Sequence, residues 1–177
     1  MAKDEKVYNK DSIQLLLHTS ESSYNEEHSR TQIIDNKSNI SLPIMSAFTV
    51  TIIHSMNYKH IFNMPTESFC KWLIPFLLFV FYTAALITSI ISVLFMARVI
   101  KTLDYKSINV RDLYDEDYLQ EERKFLSLEF VNLYVQATEF NKLQNDRRVR
   151  NYKIGWYLAV ISLILYAFFF IINNVII

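Results

Sequence analysis

Arg30, Asp35 and Lys37 stand in the stretch RTQIIDNKSNISLPIMSAF, immediately before a run, Ser38 to Tyr58, that contains no acid, lysine or arginine. Side chains of these types form ion pairs when helical spacing lets them meet. Asp35 and Lys37 are two positions apart, which on a helix points them in different directions, and Arg30 and Asp35 are five apart. Neither spacing is the three or four that brings helical neighbours together. Each charge at this threshold therefore needs a partner elsewhere.

Catalytic chemistry is not readable. A phosphate-cradling loop needs several glycines so that backbone amides can approach the anion, and the chain has one glycine. HExxH, a GxSxG elbow and metal-spaced cysteines and histidines are absent from the sequence, and His18, His28, His54 and His60 are scattered. The expectation is a non-enzyme without cofactor or metal. The lone cysteine, Cys70, permits no internal disulfide. A formal net charge of zero gives no basic excess to hold a nucleic-acid polymer.

The elements that carry the threshold charges are apolar. Trp72 to Ala97 is 26 residues without a charged side chain, beyond the roughly 20 that cross a bilayer as a helix. Trp72 marks one interface, Arg98 and Lys101 the other, and Pro75 is expected in the first turn, where a missing amide costs least. Ile154 to Ile177 is a second such run. Ser38 to Ser55 is shorter and dotted with hydroxyls, so on hydropathy it either crosses or forms a buried or re-entrant segment. Charge favours crossing. Ten of the 18 lysines and arginines lie in 101–153 and five in the N-terminal tail, against Lys59 and Lys71 in the connection after the first run. The positive-inside rule then puts tail and 101–153 in the cytoplasm, with the C-terminus outside, which requires three spans. The first 39 residues hold no apolar core of signal-peptide type.

The expected fold class is all-α: an integral membrane protein with three transmembrane helices, about 38–57, 72–98 and 154–177, and a long cytoplasmic helical hairpin over 99–153 between the second and third. Residues 1–27 read as a cytoplasmic tail, with TSESS, Thr19 to Ser23, as loop and the apolar patch Ile13, Leu15, Leu16 and Leu17 as a docking turn. Within 101–153 the acids gather early, from Asp112 to Glu122, and Arg147, Arg148, Arg150 and Lys153 gather before the last run, facing the anionic leaflet. Tyr118 to Asn151 has neither proline nor glycine, and Leu126, Phe130, Leu133, Ala137 and Phe140 recur at steps of four and three. This predicts one helix that continues into the membrane, with an apolar stripe that buries against a neighbour.

Arg30, the IIDNKSN stretch with Asp35 and Lys37, and its lead into a membrane run resemble the Asp-x-Lys threshold motif of the Pycsar effector transmembrane family. EFVNLYVQATEFNKLQNDRRVRNYKIGWYLAVISLIL, with Asn132, Gln136 and Lys142 ahead of the last run, resembles that family's second characteristic stretch. The likeness covers residues 28–175 in layout, which gives 28–177 as the effector transmembrane domain; the SLATT transmembrane effectors share the layout.

The resemblance implies a bacterial antiphage defence effector of the cell inner membrane. It would respond to a cyclic pyrimidine mononucleotide, cyclic UMP or cyclic CMP, made by a partner cyclase, and impair membrane integrity, with arrest or death of the infected cell. The implied partners are the lipid bilayer, the nucleotide and further copies of the chain in a homo-oligomer, with His54, Thr88, Ser89 and Ser92 lining a gap. The implied ligand residues are Arg30, Asp35, Lys37, Asn132, Gln136 and Lys142. Arg147 and Arg148 are further cations, and Tyr24, Tyr134 and Phe140 are stacking surfaces. Asp35 and Lys37 are expected to meet Asn132, Gln136 or Lys142 across the base of the cytoplasmic bundle. The alternatives are a membrane scaffold whose cytoplasmic helix recruits a partner, and a holin, which would need no ligand.

Overall fold

The computed structural model describes residues 10–55, 69–100, 105–108 and 123–175. Among them are three helices and no strand: α1 Lys10–His54, α2 Phe69–Ile100 and α3 Arg123–Val175. The Asp112–Glu122 acidic cluster, the first arm of the expected hairpin, Lys59 and the side chain of Cys70 lie outside the described residues.

The expected loop at Thr19 to Ser23 is helix. Its hydroxyls bond back along α1: Thr19 Oγ1 donates to the Leu15 carbonyl at 2.8 Å, Ser20 Oγ to that of Leu16 at 2.7 Å and Ser23 Oγ to that of Thr19 at 3.0 Å. Bonds that would favour a turn are thus absorbed by the helix itself. The apolar patch is likewise helical, with Ile13 buried and Leu15 and Leu16 exposed. Pro75 is not in a first turn, because α2 begins at Phe69, and Pro43 also lies inside a helix. Each removes one backbone donor, and the helix continues past it. On α3 nothing interrupts the backbone from Arg123 to Val175, Gly155 included.

All three helices bury residues at alternating steps of four and three. On α1 the series is Ile13, Leu17, Ser20, Tyr24, Glu27, Thr31, then Ile34, Ser38, Ser41, Met45, Phe48 and Ile52. On α2 it is Leu78, Tyr82, Ala85, Ser89, Ser92, Met96 and Val99, and on α3 it runs from Asn141 through Asn145, Arg148, Tyr152, Gly155, Ala159 and Ser162 to Tyr166 and Phe169. This is the seven-residue period of coiled-coil packing. The expected stripe on α3 follows it through Ala137, but the buried line then passes to Asn141, and Phe140 is exposed.

The chain forms two compact units, one drawn from Met1–Ile33 and Thr102–Arg147 and the other from Ile34–Lys101 and Arg148–Ile177. The core of the second unit gathers Ile52, Leu78, Tyr82 and Phe169 at one place and Met45, Met96 and Ala159 at another. Hydroxyls bind its helices together. Thr49 Oγ1 meets Ser89 Oγ at 2.6 Å, Ser92 Oγ donates to the Gly155 carbonyl and Ser162 Oγ to that of Ala85, both at 2.7 Å, and Ser41 Oγ meets Tyr152 Oη at 3.1 Å. A β-carbon on Gly155 would lie 3.0 Å from Met96 Cγ and 3.3 Å from the Ser92 carbonyl oxygen, so glycine permits the approach of α2 and α3. Large apolar residues face outward, among them Ile40, Ile44, Ile87, Leu94, Leu163 and Phe170. Two helices, α2 over Trp72–Ile100 and α3 over Phe125–Asn174, are long and apolar enough to cross a membrane.

Candidate functional site

The threshold acid finds its partner in the second unit. Arg148 on α3 donates from Nη2 to Asp35 Oδ1 on α1 and from Nε to the Val99 carbonyl on α2 at 3.0 Å. Val99 is the penultimate residue of α2. A guanidinium there adds a donor to a carbonyl of the last turn, where the helix dipole is negative. Arg148 is 8% exposed, so of the four basic residues expected to face the leaflet, it is turned inward. Its planar fork makes the two bonds at once, which a lysine ammonium on a flexible stem is poorly shaped to do.

In the first unit Arg30 is held by two acids. Its Nη2 lies 2.6 Å from Asp146 Oδ1 on α3, and its Nη1 lies 3.3 Å from Glu27 Oε1 one turn earlier on α1. The Asp146 hydrogen bond is the main cause of an upward shift of the Arg30 pKa. Asn145 completes this layer. Its Nδ2 donates to the Glu27 carbonyl at 3.1 Å and to Glu27 Oε2 at 2.9 Å, and its Oδ1 accepts from Thr31 Oγ1 at 3.1 Å. At 2% exposure, the amide has both its oxygen and its nitrogen engaged, which buried polar groups require.

One turn earlier Asn141, fully buried, holds the backbone of Lys106 in the segment 105–108. Its Oδ1 accepts the Lys106 backbone N–H at 3.0 Å, and its Nδ2 donates to the Lys106 carbonyl at 3.1 Å. Tyr105, the preceding residue, packs against Tyr24 at 6.3 Å and His28 at 5.6 Å between ring centroids, and Tyr24 against Tyr134 at 5.7 Å. Burial pushes the Tyr105 phenol up to about 12, with Tyr24 and then Glu27 adding to the shift, and burial also raises Tyr134.

Of the residues expected to bind ligand, Arg30 and Asp35 are engaged as described, whereas Lys37, Asn132, Gln136 and Lys142 are exposed. The partner found on Asp35 is Arg148, where Asn132, Gln136 or Lys142 is expected from the sequence. Tyr24 and Tyr134 share the aromatic cluster; Phe140 is exposed and outside it. Ser89 and Ser92 are buried with the helix-to-helix partners given above, Thr88 bonds back to the Ala84 carbonyl, and His54 is exposed. Sequence reasoning missed Asn141, Asn145 and the inward turn of Arg148. Their signal was spacing: at steps of four and three they prolong the line that continues through Gly155, Ala159 and Ser162.

Comparison of the chain with protein-family models, with curated proteins and with solved structures finds no match.

Proposed function

We propose that the chain is a bacterial antiphage effector of the inner membrane, which crosses the bilayer three times and answers a cyclic pyrimidine mononucleotide by impairing membrane integrity. The observation that carries the membrane part is an inverted polarity. In the second unit Ser38, Ser89, Ser92 and Ser162 share the fully buried positions with Ile52, Leu78, Met96 and Val99, while many isoleucines, leucines and phenylalanines face out. Without a hydrophobic force between them, helices in lipid associate through close packing and interhelical hydrogen bonds, with small and hydroxyl residues inside. The same inversion supports the last half of α1 as a third span, since it buries Ser38 and Ser41 and exposes Ile40, Ile44, Val50 and Ile53. The cytoplasmic face then holds the N-terminus and 101–153, and the C-terminus lies outside.

The ligand part rests on the resemblance of the Asp35–Lys37 threshold and of the stretch that holds Asn132, Gln136 and Lys142. A cyclic nucleotide carries one negative phosphate and a planar base. Arg30, Lys37 and Lys142 supply cations, and Asn132 and Gln136 supply amides for base edges. Arg30 and Arg148 are already matched with carboxylates, so a phosphate that binds either would compete with Glu27 and Asp146 or with Asp35. Expression in bacteria tests this directly: a co-expressed cytidylate or uridylate cyclase should arrest growth, an adenylate cyclase should not, and Arg30→Ala should remove the arrest. Growth that is indifferent to every cyclase would instead favour a membrane scaffold, and arrest without any cyclase a holin.

A further inference from the structure

α1 and α3 each run unbroken from the first unit into the second, whereas α2 belongs to the second unit alone. What joins the end of α2 to the first unit is the chain that leaves it. Residues 105–108 belong to the first unit, without regular secondary structure, and residues 101–104 separate them from Ile100, where α2 ends. Over that connection Ile100 and Tyr105 cannot lie more than about 18 Å apart, the reach of a fully extended chain.

The 105–108 strap is seated on both long helices of the first unit. Asn141 on α3, fully buried, pairs with the N–H and the carbonyl of Lys106, and the Tyr105 ring lies against Tyr24 and His28 on α1. Lys106 and Ser107 are themselves exposed. The hold therefore centres on one side-chain amide and one ring, and it can be let go without opening a turn of α1 or α3. Once the strap leaves, Lys106 can be hydrated, but Asn141 becomes a buried amide without its partners, which a fold does not tolerate at low cost. The seat thus favours two conditions, filled or open, over any gradual loosening.

We propose that the strap is a regulatory tether for α2: seated on Asn141 and the Tyr24 and His28 rings, it restrains the last turn of α2, and unseated, it leaves that turn to its contacts within the second unit. Whatever displaces Tyr105 or engages Asn141 is then felt at Val99 and Ile100. The shortness of the connection carries the effect, because slack between Ile100 and Tyr105 would let the strap stay seated while α2 moved. The tether rests on the seat and on the connectivity of the chain, and it does not depend on the ligand reading.

Amide hydrogen exchange of the full chain in lipid nanodiscs tests this at Lys106, at Val99 and Ile100, and at Ala85 and Ser89 midway along α2. All should be slow in the wild type. Tyr105→Ala should unseat the strap, so that exchange rises about tenfold at Lys106, Val99 and Ile100 while Ala85 and Ser89 are unchanged. An insertion of about ten glycine and serine residues after Thr102, which form a flexible coil, separates the tether from the seat. There Lys106 should stay slow while Val99 and Ile100 become fast. Val99 and Ile100 that stay slow in either variant, a Lys106 that stays slow in Tyr105→Ala, or exchange that rises equally along the whole of α2 would each overturn the proposal.

Discussion

The Arg148 guanidinium donates to the Val99 carbonyl at 3.0 Å, in the last turn of α2, and the same side chain reaches Asp35. One buried cation on α3 thus fixes the last turn of α2 and the charged threshold of α1.

Removing it leaves a carbonyl and a carboxylate without their donor. Asp35 keeps 45% of its side chain exposed and can be rehydrated, so the loss is moderated there. Arg148→Ala should destabilise the detergent-solubilised protein by about 2 kcal/mol, within the range for hydrogen bonds to charged groups. Arg148→Lys should recover only part of it, since one ammonium does not reproduce the fork. Denaturation of the three proteins side by side measures both; a lysine variant as stable as wild type would remove the fork from the explanation.

Asn141→Ala should release the Lys106 backbone. Two hydrogen bonds to the Lys106 backbone are lost, a cost of about 1–3 kcal/mol if the groups stay buried. Hydrogen exchange at the Lys106 amide reports this at one atom. It should be protected in the wild type and fast in Asn141→Ala, and equal rates would mean that the pairing does not hold the segment.

The helices and the apolar runs were readable in the residues because periodicity and length are local. Ser38 to Ser55 and Thr19 to Ser23 were harder, since hydroxyls that mark loops in water become helix-to-helix or back-bonded groups when a helix is held by its neighbours. The partner of Asp35 could not be chosen by spacing, as Lys142, Arg147, Arg148 and Arg150 all lie close together near the middle of α3. What selects Arg148 is its position on the buried line between Asn145 and Tyr152. The clamp of Asn141 on Lys106 joins residues 35 positions apart, and no local pattern in the sequence announces it.

Gly155→Val should loosen α2 from α3. Even the first added carbon meets Met96 and the Ser92 carbonyl at near-contact distance, and overpacking of this kind costs about 1–3 kcal/mol. Gly155→Ala should be milder, because its gain of about 1 kcal/mol in helix propensity offsets the displacement of the flexible Met96 side chain. Thermal denaturation of both variants should rank valine well below alanine.

Alkali should act on the first unit through Tyr105. Its phenol is raised from 10.0 to about 12, so the neutral form is the one the fold favours. That contribution is complete below pH 10 and is lost as pH rises through about 12. In a phenolate absorbance titration, subtracting Tyr105→Phe from wild type should isolate one transition near pH 12. A difference centred at pH 10 would show a solvated ring.

Purified protein in liposomes of anionic bacterial lipid, under an imposed potassium diffusion potential and a potential-sensitive dye, should hold the potential until a cyclic pyrimidine mononucleotide is added. Depolarisation should be rapid with cyclic UMP or cyclic CMP, absent with cyclic AMP, and absent in Arg30→Ala liposomes. A potential that survives every nucleotide with the protein correctly inserted, or that collapses before any is added, would contradict the proposed ligand-gated function.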